Sequence, residues 1–289
     1  MQAFAVLIAH PDHPVLTQDI ANSLGGPVTW LAPGIAVEVP LDCDDPQGME
    51  ADLRARFAPL AVDIAVVPAQ DRRKQLLIAD MDSTIITVEC LDELADEAGL
   101  KPRIAAITER AMRGELDFES ALRERVGLLT GLDQSALQRT YDNRVRLMPG
   151  ARALVQTMAA HGAYAALVSG GFTFFTQRVA ALCGFHDHRA NQLELAQGQL
   201  TGQVIEPILG RAAKLASLEE FANARGIDPD QALAVGDGAN DLAMIARAGM
   251  GIAYHAKPIV AEQARYRIDH GDLTALLYLQ GYKASDFKA

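Results

Sequence analysis

The sequence predicts an α/β protein with a doubly wound parallel sheet, an inserted helical segment, and a small α+β unit at the amino terminus. Three observations support this fold class. From Gln75 onward, short apolar strands alternate with helical segments, which is typical of a parallel sheet covered on both faces. The segment after the first of these strands is helical and too long for a simple crossover. The first 70 residues show a different element order and therefore predict a separate unit.

The amino-terminal unit, residues 1–70, shows the element order β-α-β-β-α-β, which is typical of a ferredoxin-like sandwich. It resembles amino-acid-binding ACT-like modules in strand order alone, because its first loop, Pro11-Asp12-His13-Pro14, lacks the glycine such effector sites carry. We expect a role in regulation or dimerisation, with the charged stretch Asp71–Lys74 as a linker. The predicted elements are strands at Phe4–His10, Val28–Leu31, Ala36–Leu41 and Val62–Pro68, and helices at Leu16–Leu24 and Asp45–Phe57.

Residues 71–289 predict the doubly wound sheet. Its strands are expected at Leu76–Ala79, Tyr164–Val168, Ala232–Val235 and Gly251–Ala253. The first three are each followed by a polar or glycine-rich turn, and such turns meet at one edge of a parallel sheet. Residues 88–147 are amphipathic and helical, and we expect them to form a cap over that edge. His186 and His188 are expected in a surface loop.

The composition argues against nucleic-acid and membrane partners. The chain has 289 residues, 49% of them hydrophobic, and a net charge of −11, which disfavours binding to polyanions. No apolar run approaches the roughly 20 residues of a membrane span, and the amino terminus lacks the features of a signal peptide. Cys43, Cys90 and Cys183 have no metal or redox spacing, as in reduced cytosolic proteins. We therefore expect a cytoplasmic protein.

Two carboxylates follow the first strand of the predicted sheet, in the run Asp80-Met81-Asp82-Ser83-Thr84. Side chains at i and i+2 of an extended chain share a face, so Asp80 and Asp82 can converge on one reacting atom. Crowding two carboxylates is costly unless a cation or a proton lies between them. Taken alone, the run is equally consistent with a strand-terminating turn, since Asp and Ser favour turns.

Three later segments add polar groups suited to a phosphate or a metal. Ser169-Gly170-Gly171 offers a hydroxyl and glycine amides, although an ordinary turn is the simpler interpretation of that segment alone. Lys214 begins a predicted helix, where a lone lysine is usually a surface charge. In Gly236-Asp237-Gly238-Ala239-Asn240-Asp241, Asp237 and Asp241 are hard oxygen ligands suited to Mg²⁺. Two acidic loops on one sheet are a sharper signal than either alone.

The order Asp-x-Asp-x-Thr, Ser, Lys and Gly-Asp-Gly-x-Asn-Asp resembles the haloacid dehalogenase superfamily of aspartate-nucleophile phosphatases. From about Gln75 to its end, the chain is similar to the phosphoserine phosphatases within it. The resemblance implies that Asp80 is the nucleophile that forms an aspartyl phosphate and that Asp82 is the general acid and base. It also implies that Mg²⁺ is bound by Asp80, the Asp82 backbone carbonyl and Asp237.

The resemblance further implies a phosphate cradle of Ser169, Gly170 and Lys214. Asp241 would orient either Lys214 or a metal-bound water. Asn240 matches a polar contact near the substrate.

The cap segment would supply the substrate specificity. Glu89 matches the acid that pairs with the substrate ammonium, and Arg125 matches the arginine that binds its carboxylate. Met112 and Phe118 match cap residues that exclude water. Without the resemblance, Glu89 could be an acid at the start of a helix and Arg125 part of a surface ion pair. Met112 and Phe118 could be core side chains.

An acid, an arginine and a phosphate cradle together imply a small ligand with ammonium, carboxylate and phosphate groups. The implied function is Mg²⁺-dependent hydrolysis of O-phospho-L-serine to L-serine and phosphate, the last step of serine biosynthesis. The alternatives are a related small-molecule phosphatase or phosphotransferase, for instance with homoserine as acceptor, and a non-catalytic regulatory binding protein. The assembly expected is a homodimer through the amino-terminal unit.

Overall fold

The computed structural model describes residues 1–112 and 115–288, apart from the side chains of Ala111 and Met112. Two sheets organise the described residues, a four-stranded antiparallel sheet and a seven-stranded, mainly parallel sheet. The α/β class predicted from the alternating strands and helices is confirmed. No helix among these residues is both long enough and apolar enough to cross a membrane.

The amino-terminal sheet is covered on both faces. Its elements are β1 (Gln2–Ala9), α1 (Gln18–Asn22), β2 (Thr29–Ala32), β3 (Ala36–Asp42), α2 (Pro46–Arg56) and β4 (Val62–Pro68), with strand order β2-β3-β1-β4. Alternate residues of a strand point to opposite faces. Leu7 therefore packs in the cluster that contains Leu53 of α2, whereas Ile8 packs in the cluster that contains the carboxyl-terminal residues Leu276 and Tyr278.

The helix ends in this unit follow from capping. The Thr17 hydroxyl accepts a hydrogen bond from Ile20 N at 3.3 Å and caps α1, which therefore begins at the next residue, Gln18. The helix is shorter than the predicted Leu16–Leu24. Asp45 caps α2 in the same way, accepting from Gly48 N at 3.0 Å, and Pro46 occupies the first helical turn.

The large sheet has β5 (Leu76–Ala79) at its centre, and the two acids follow this strand. Its other strands are β6 (Tyr164–Phe172), β7 (Asp187–Ala196), β8 (Gln199–Ile205), β9 (Ala232–Gly236), β10 (Met250–Tyr254) and β11 (Tyr266–Ile268). The order is β11-β10-β9-β5-β6-β7-β8, and the β7–β8 pair is antiparallel whereas the other neighbours are parallel. The chain order reverses on the two sides of β5, and open α/β sheets bind their ligands at such a point.

Helices cover both faces of this sheet. Leu77 packs in the core cluster that contains Leu154, whereas its neighbour Ile78 packs in the cluster that contains Leu218. The helices outside the segment between β5 and β6 are α7 (Ala151–Ala160), α8 (Thr173–Cys183), α9 (Arg211–Arg225), α10 (Leu242–Arg247), α11 (Pro258–Gln263) and α12 (Ala275–Leu279).

Between β5 and β6 the described chain is helical. The elements are α3 (Cys90–Glu97), α4 (Lys101–Met112), α5 (Phe118–Gly127) and α6 (Ser135–Arg144). An isolated antiparallel bridge between Ile86 and Leu147 joins the two ends of this segment. A second bridge, between Asp133 and Gln199, ties it to β8.

Two local predictions are wrong, and three strands were not predicted. Ser169-Gly170-Gly171 is not a turn, because these residues continue β6 in an extended conformation with an irregular register. His188 lies in β7 with its Nδ1 3.0 Å from Thr176 Oγ1, so it is not in a loop. His186 is exposed and precedes β7, as predicted, and its Nδ1 accepts from Ala165 N at 3.0 Å. The strands β7, β8 and β11 have no counterpart in the prediction.

The segment Asp71–Lys74 connects β4 to β5 and also makes buried contacts of its own. Arg72 is buried, with Nη1 2.7 Å from Glu38 Oε2. Its Nε and Nη2 donate to the carbonyl oxygens of Leu279 and Tyr278, at 2.6 and 3.1 Å. The guanidinium therefore joins β3 to α12, and the two sheets are held together by buried contacts.

Candidate active site

A cavity of about 120 Å³ lies at the carboxyl edge of the large sheet. Its floor comes from the residues that follow β5 and β9 and from the end of β6, and α3 and α5 form the opposite wall. The lining residues are Asp80, Asp82, Glu89, Leu91, Phe118, Leu122, Arg125, Ser169, Gly170, Gly171, Phe172, Asp237, Gly238, Asn240 and Lys257.

A buried lysine lies between two carboxylates beneath this cavity. Lys214, in the first turn of α9, places its Nζ 2.7 Å from Asp80 Oδ1 and 2.6 Å from Asp241 Oδ1. Burial alone would lower the pKa of Lys214, but the charges of Asp241 and Asp80 outweigh it and raise that pKa. The lysine is therefore a permanent cation beside Asp80.

Asp241 is fixed by its own contacts. One of its oxygens pairs with Lys214 and the other accepts from Gly238 N at 3.0 Å. A Cβ at Gly236 would collide with the Asp241 carboxylate, so the last residue of β9 has to be glycine. These contacts favour the first of the two roles that the sequence left open for Asp241, which is to orient Lys214 rather than a metal-bound water.

Asp80 and Asp82 have different surroundings although they are two residues apart. Burial, and then the charge of Asp241, raise the pKa of Asp80, while Lys214 opposes both effects. Asp82 has neutral hydrogen-bond donors, since Oδ1 accepts from Cys90 N at 3.0 Å and Oδ2 from Ser169 Oγ at 3.3 Å. Burial, and then the charge of Glu89, raise the pKa of Asp82 to about 7. Asp82 can therefore hold or release a proton near neutral pH.

Asp80, Asp237 and Asp241 each offer a carboxylate oxygen, and these oxygens lie within 4.8 Å of one another. Because both oxygens of Asp241 are engaged, one by Lys214 and the other by Gly238 N, Asp80 and Asp237 are the carboxylates open to a cation. Burial raises the pKa of Asp237 to about 6, and Thr84 Oγ1 donates to its Oδ1 at 3.3 Å. Buried carboxylates with hard oxygen donors fit a divalent ion such as Mg²⁺.

The part of the cavity formed by the end of β6 is held by hydrogen bonds. Ser169 is buried, and its Oγ accepts from Gly171 N at 2.9 Å. Asn191, on β7, donates to the Gly170 carbonyl at 2.8 Å. A Cβ at Gly171 would lie 2.8 Å from Asp82 Oδ2, so glycine is required for the close approach of β6 to the acid.

The opposite wall presents an apolar stripe and an arginine from one helix. Phe118, Leu122 and Arg125 are spaced i, i+4, i+7 on α5 and therefore share its inner face. The Phe118 ring lies against the core, because a Cβ at Gly170 would be 3.2 Å from its Cζ and one at Gly210 would be 3.3 Å from its Cδ1.

Glu89 is the N-cap residue of α3 and lines the same wall. Its Oε1 accepts from Ser83 Oγ at 2.8 Å. Arg125 is partly buried, and its Nε donates to the Ala121 carbonyl at 3.2 Å. A carboxylate and a guanidinium therefore share one wall, facing the paired acids on the other side.

The structure brings the predicted site residues together, with one exception. The side chain of Met112 lies outside the described residues. The predicted residues on the cavity surface are Asp80, Asp82, Glu89, Phe118, Arg125, Ser169, Gly170, Asp237 and Asn240, and Lys214 and Asp241 lie directly beneath.

Sequence reasoning missed Asn191, Lys257 and the contact of Thr84 with Asp237. Asn191 lies on a strand that the sequence did not predict. Lys257 follows β10, and the rule that loops after parallel strands carry the site would have found it. Thr84 was part of the run after β5, but its partner lies 153 residues away.

The model of the haloacid dehalogenase-like hydrolases matches residues 77–246. That is more than half of the chain, and the chain belongs to this family. It is 46% identical over 225 residues to a phosphoserine phosphatase of Polaromonas sp., covering 76% of this chain and 95% of that relative. A phosphoserine phosphatase of Streptomyces coelicolor is longer: identity is 41% over 259 residues, which cover 89% of this chain and 63% of that relative.

Solved structures show the same likeness. A probable phosphoserine phosphatase from Vibrio cholerae superposes with a TM-score of 0.81 and 31% identity, covering 98% of this chain and 88% of that one. A phospho-aspartyl intermediate analogue of phosphoserine phosphatase superposes with a TM-score of 0.67 and 38% identity, covering 71% of this chain and 98% of that one. The first likeness spans both sheets of this chain.

Proposed function

We propose that this protein is a Mg²⁺-dependent phosphoserine phosphatase that hydrolyses O-phospho-L-serine to L-serine and phosphate. The observation that carries the proposal is a single cavity with Asp80 and Asp82 on one side and Glu89 and Arg125 on the other. The phosphoserine phosphatases among the relatives support the same substrate.

The two walls of the cavity match the two ends of the substrate. Lys214, Ser169 and the amide of Gly170 would bind the phosphoryl oxygens. The Glu89 carboxylate would accept the substrate ammonium, and the Arg125 guanidinium suits the planar carboxylate in a bidentate arrangement. Phe118 packs against Gly170 and would exclude water from the reacting atoms.

The first step is attack of an Asp80 carboxylate oxygen on phosphorus. A new P–O bond forms to Asp80 as the bond from phosphorus to the serine oxygen breaks. Asp82, protonated at its pKa of about 7, gives its proton to the departing oxygen, and L-serine leaves with a hydroxyl. The phospho-aspartyl analogue solved for a structural relative supports this covalent route.

The second step is hydrolysis of the aspartyl phosphate. Asp82, now ionised, takes a proton from water, and the water oxygen bonds to phosphorus as the bond to Asp80 breaks. Phosphate leaves, and both carboxyl groups return to their starting states. Throughout, Lys214 stays within ion-pair distance of Asp80 and offsets the charge on the phosphoryl group.

Mg²⁺ is the proposed metal, with Asp80, the Asp82 backbone carbonyl and Asp237 as its protein ligands. When bound, it would neutralise charge on the phosphoryl oxygens. The donor set supports this assignment, because it consists of oxygens and includes two buried carboxylates.

The proposal extends to location and assembly. Cys43, Cys90 and Cys183 are free thiols, which supports a cytoplasmic enzyme of serine biosynthesis. We also propose a homodimer through residues 1–70. Both faces of that sheet are covered and β2 is an outer strand of it, so the β2 edge is the part of the sheet open to a second copy.

Phosphate release from a panel of substrates tests the proposed function. The panel holds phosphoserine, phosphothreonine, a sugar phosphate, a nucleotide and p-nitrophenyl phosphate, each with Mg²⁺ and with EDTA. We expect Mg²⁺-dependent release with a strong preference for phosphoserine. Preferential release of phosphate from the sugar phosphate would reject phosphoserine as the substrate. No release from any of the compounds would reject the phosphatase function.

A further inference from the structure

Lys257 is a second lysine at the cavity, and it lies near Asp237 rather than between Asp80 and Asp241. It follows β10 and is the N-cap residue of α11. Its backbone N–H donates to the Asp237 carbonyl at 3.1 Å, and its Nζ lies 4.0 Å from Asp237 Oδ2. Both the main chain and the side chain of Lys257 are therefore directed to Asp237.

The two lysines serve different carboxylates. Lys214 is buried between Asp80 and Asp241, whereas the Lys257 side chain is 54% exposed and near Asp237. Among the described residues, the ion pair that Asp237 makes is the one with Lys257. Lys257 is thus the cation that balances Asp237 when no metal is bound.

A divalent metal and Lys257 would compete for the same carboxylate. Asp237 is one of the two carboxylates open to a metal, and a bound divalent ion would lie a few ångströms from the ammonium. Like charges at such a distance repel, whereas the ion pair at 4.0 Å is long and half exposed and so contributes little stability. Direct coordination would therefore displace the lysine at a modest cost.

We propose that Lys257 is a counterion of Asp237 that competes with the divalent metal and so limits the affinity of the site for it. This inference rests on the proposed metal-dependent function and deepens it. Its consequence is a site that keeps Asp237 compensated without metal and binds the metal less tightly than its carboxylates alone would.

The test is the affinity of the protein for Mn²⁺ and Mg²⁺, measured by calorimetry without substrate. In Lys257→Met, we expect binding roughly three- to tenfold tighter than in the wild type, because one positive charge near the metal is gone. Lys257→Arg keeps the charge and should bind at the wild-type affinity or more weakly. Lys288→Met is the matched control, since Lys288 is exposed and does not line the cavity. Its loss changes the net charge by the same amount.

The expected pattern is tighter binding in Lys257→Met alone. Unchanged or weaker binding in that variant overturns the inference, and so does equal tightening in Lys288→Met, which would reflect net charge alone. Because Lys257 is exposed, circular dichroism and thermal unfolding should show wild-type folding.

Turnover of phosphoserine separates this inference from the proposed function. Wild-type turnover with no change of metal affinity in Lys257→Met rejects the role of Lys257 and leaves the phosphatase proposal standing. A wild type that binds neither ion overturns both the role of Lys257 and the proposed metal dependence.

Discussion

At the scale of single residues, Asp80 and Asp82 show how burial and neighbours divide the chemistry between two identical side chains. Asp80 lies 2.7 Å from the permanent cation Lys214, whose charge opposes the rise in the pKa of Asp80 that burial and Asp241 cause. Asp82 accepts from the uncharged donors Cys90 N and Ser169 Oγ, and burial and Glu89 favour its protonated form. A cation beside one carboxyl group and uncharged donors beside the other suit the roles of nucleophile and acid in one site.

The pKa of Asp82 predicts a pH-dependent stability of the metal-free protein. Its pKa is about 7 in the folded state, against about 3.9 in an unfolded chain. Between these pH values the folded state binds the extra proton, so stability falls as the pH rises through this window. In Asp82→Asn, the free energy of unfolding in EDTA should rise by about 1–2 kcal/mol at pH 8 and change much less at pH 4.5. Urea titrations at both pH values measure this.

The same variant should lose catalysis by roughly 100-fold or more, because it cannot transfer the proton. Asparagine keeps an acceptor for Cys90 N, so the local structure should persist. An equal stability change at both pH values would contradict the assignment of the raised pKa to Asp82.

At the scale of elements, the cavity wall that carries Phe118 and Arg125 depends on the helical periodicity of α5. Asp117 caps this helix, accepting from Ser120 N at 2.9 Å, and so fixes where it begins. Phe118 and Arg125 then lie two turns apart on the inner face, while Arg123 points outward and pairs with Glu119 and Glu206. One helix thus carries both the group that would exclude water and the group that would bind carboxylate.

Arg125→Met should lower kcat/KM for phosphoserine by roughly 10- to 100-fold, since the substrate carboxylate loses a charged partner in a desolvated site. Turnover of p-nitrophenyl phosphate, which has no such carboxylate, should change much less. Arg123→Met, on the outer face of the same helix, is the matched control and should leave both substrates unaffected. Equal losses on both substrates in Arg125→Met would indicate a general role in the fold of the cap.

The elements themselves were predictable where local pattern and packing agree. Leu76–Ala79 is apolar at each position and is buried on both faces, so its bounds were predicted correctly. The strand β7 was missed because it begins with Asp187, His188 and Arg189, whose polarity suits a loop. Its partner β8 completes an edge hairpin that depends on contacts with distant residues, which local sequence does not encode.

The site was predictable in its residue types but not in its contacts. The carboxylates after β5 and β9 were expected to meet, because parallel strands end at one edge. The burial of Lys214 was not foreseeable from its local sequence, where a surface lysine is the usual outcome. Its partners, Asp80 and Asp241, lie in the loops that follow β5 and β9, 134 and 27 residues away along the chain.

At the scale of the whole molecule, buried polar contacts fix the amino-terminal sheet on the catalytic part. Arg72 joins Glu38 to the carbonyl groups at the end of α12. Asp63 on β4, only 2% exposed, accepts hydrogen bonds from the backbone amides of Asp269 and Gly271, each at 2.7 Å. Such satisfied networks fix one orientation, because breaking them leaves buried polar groups without partners.

Arg72→Met should destabilise the protein by roughly 3 kcal/mol, since Glu38 would remain buried without its cation. The double variant Arg72→Met/Glu38→Gln should recover a large part of the loss. Phosphoserine turnover of the folded fraction should stay within about twofold of wild type, because neither residue lines the cavity. Denaturant titrations measure the stabilities, and a double variant no better than the single one would show that the ion pair is not the cause.

The central claim is that Asp80 carries the phosphoryl group, and rapid quenching with phosphoserine labelled on its phosphate tests it most directly. The enzyme is stopped in acid within milliseconds, digested, and the labelled peptide identified by mass spectrometry. We expect the label on the peptide that contains Asp80, and none in Asp80→Asn, which should fold normally and release no phosphate. A label on another residue, or phosphate release by Asp80→Asn, would contradict the proposed mechanism.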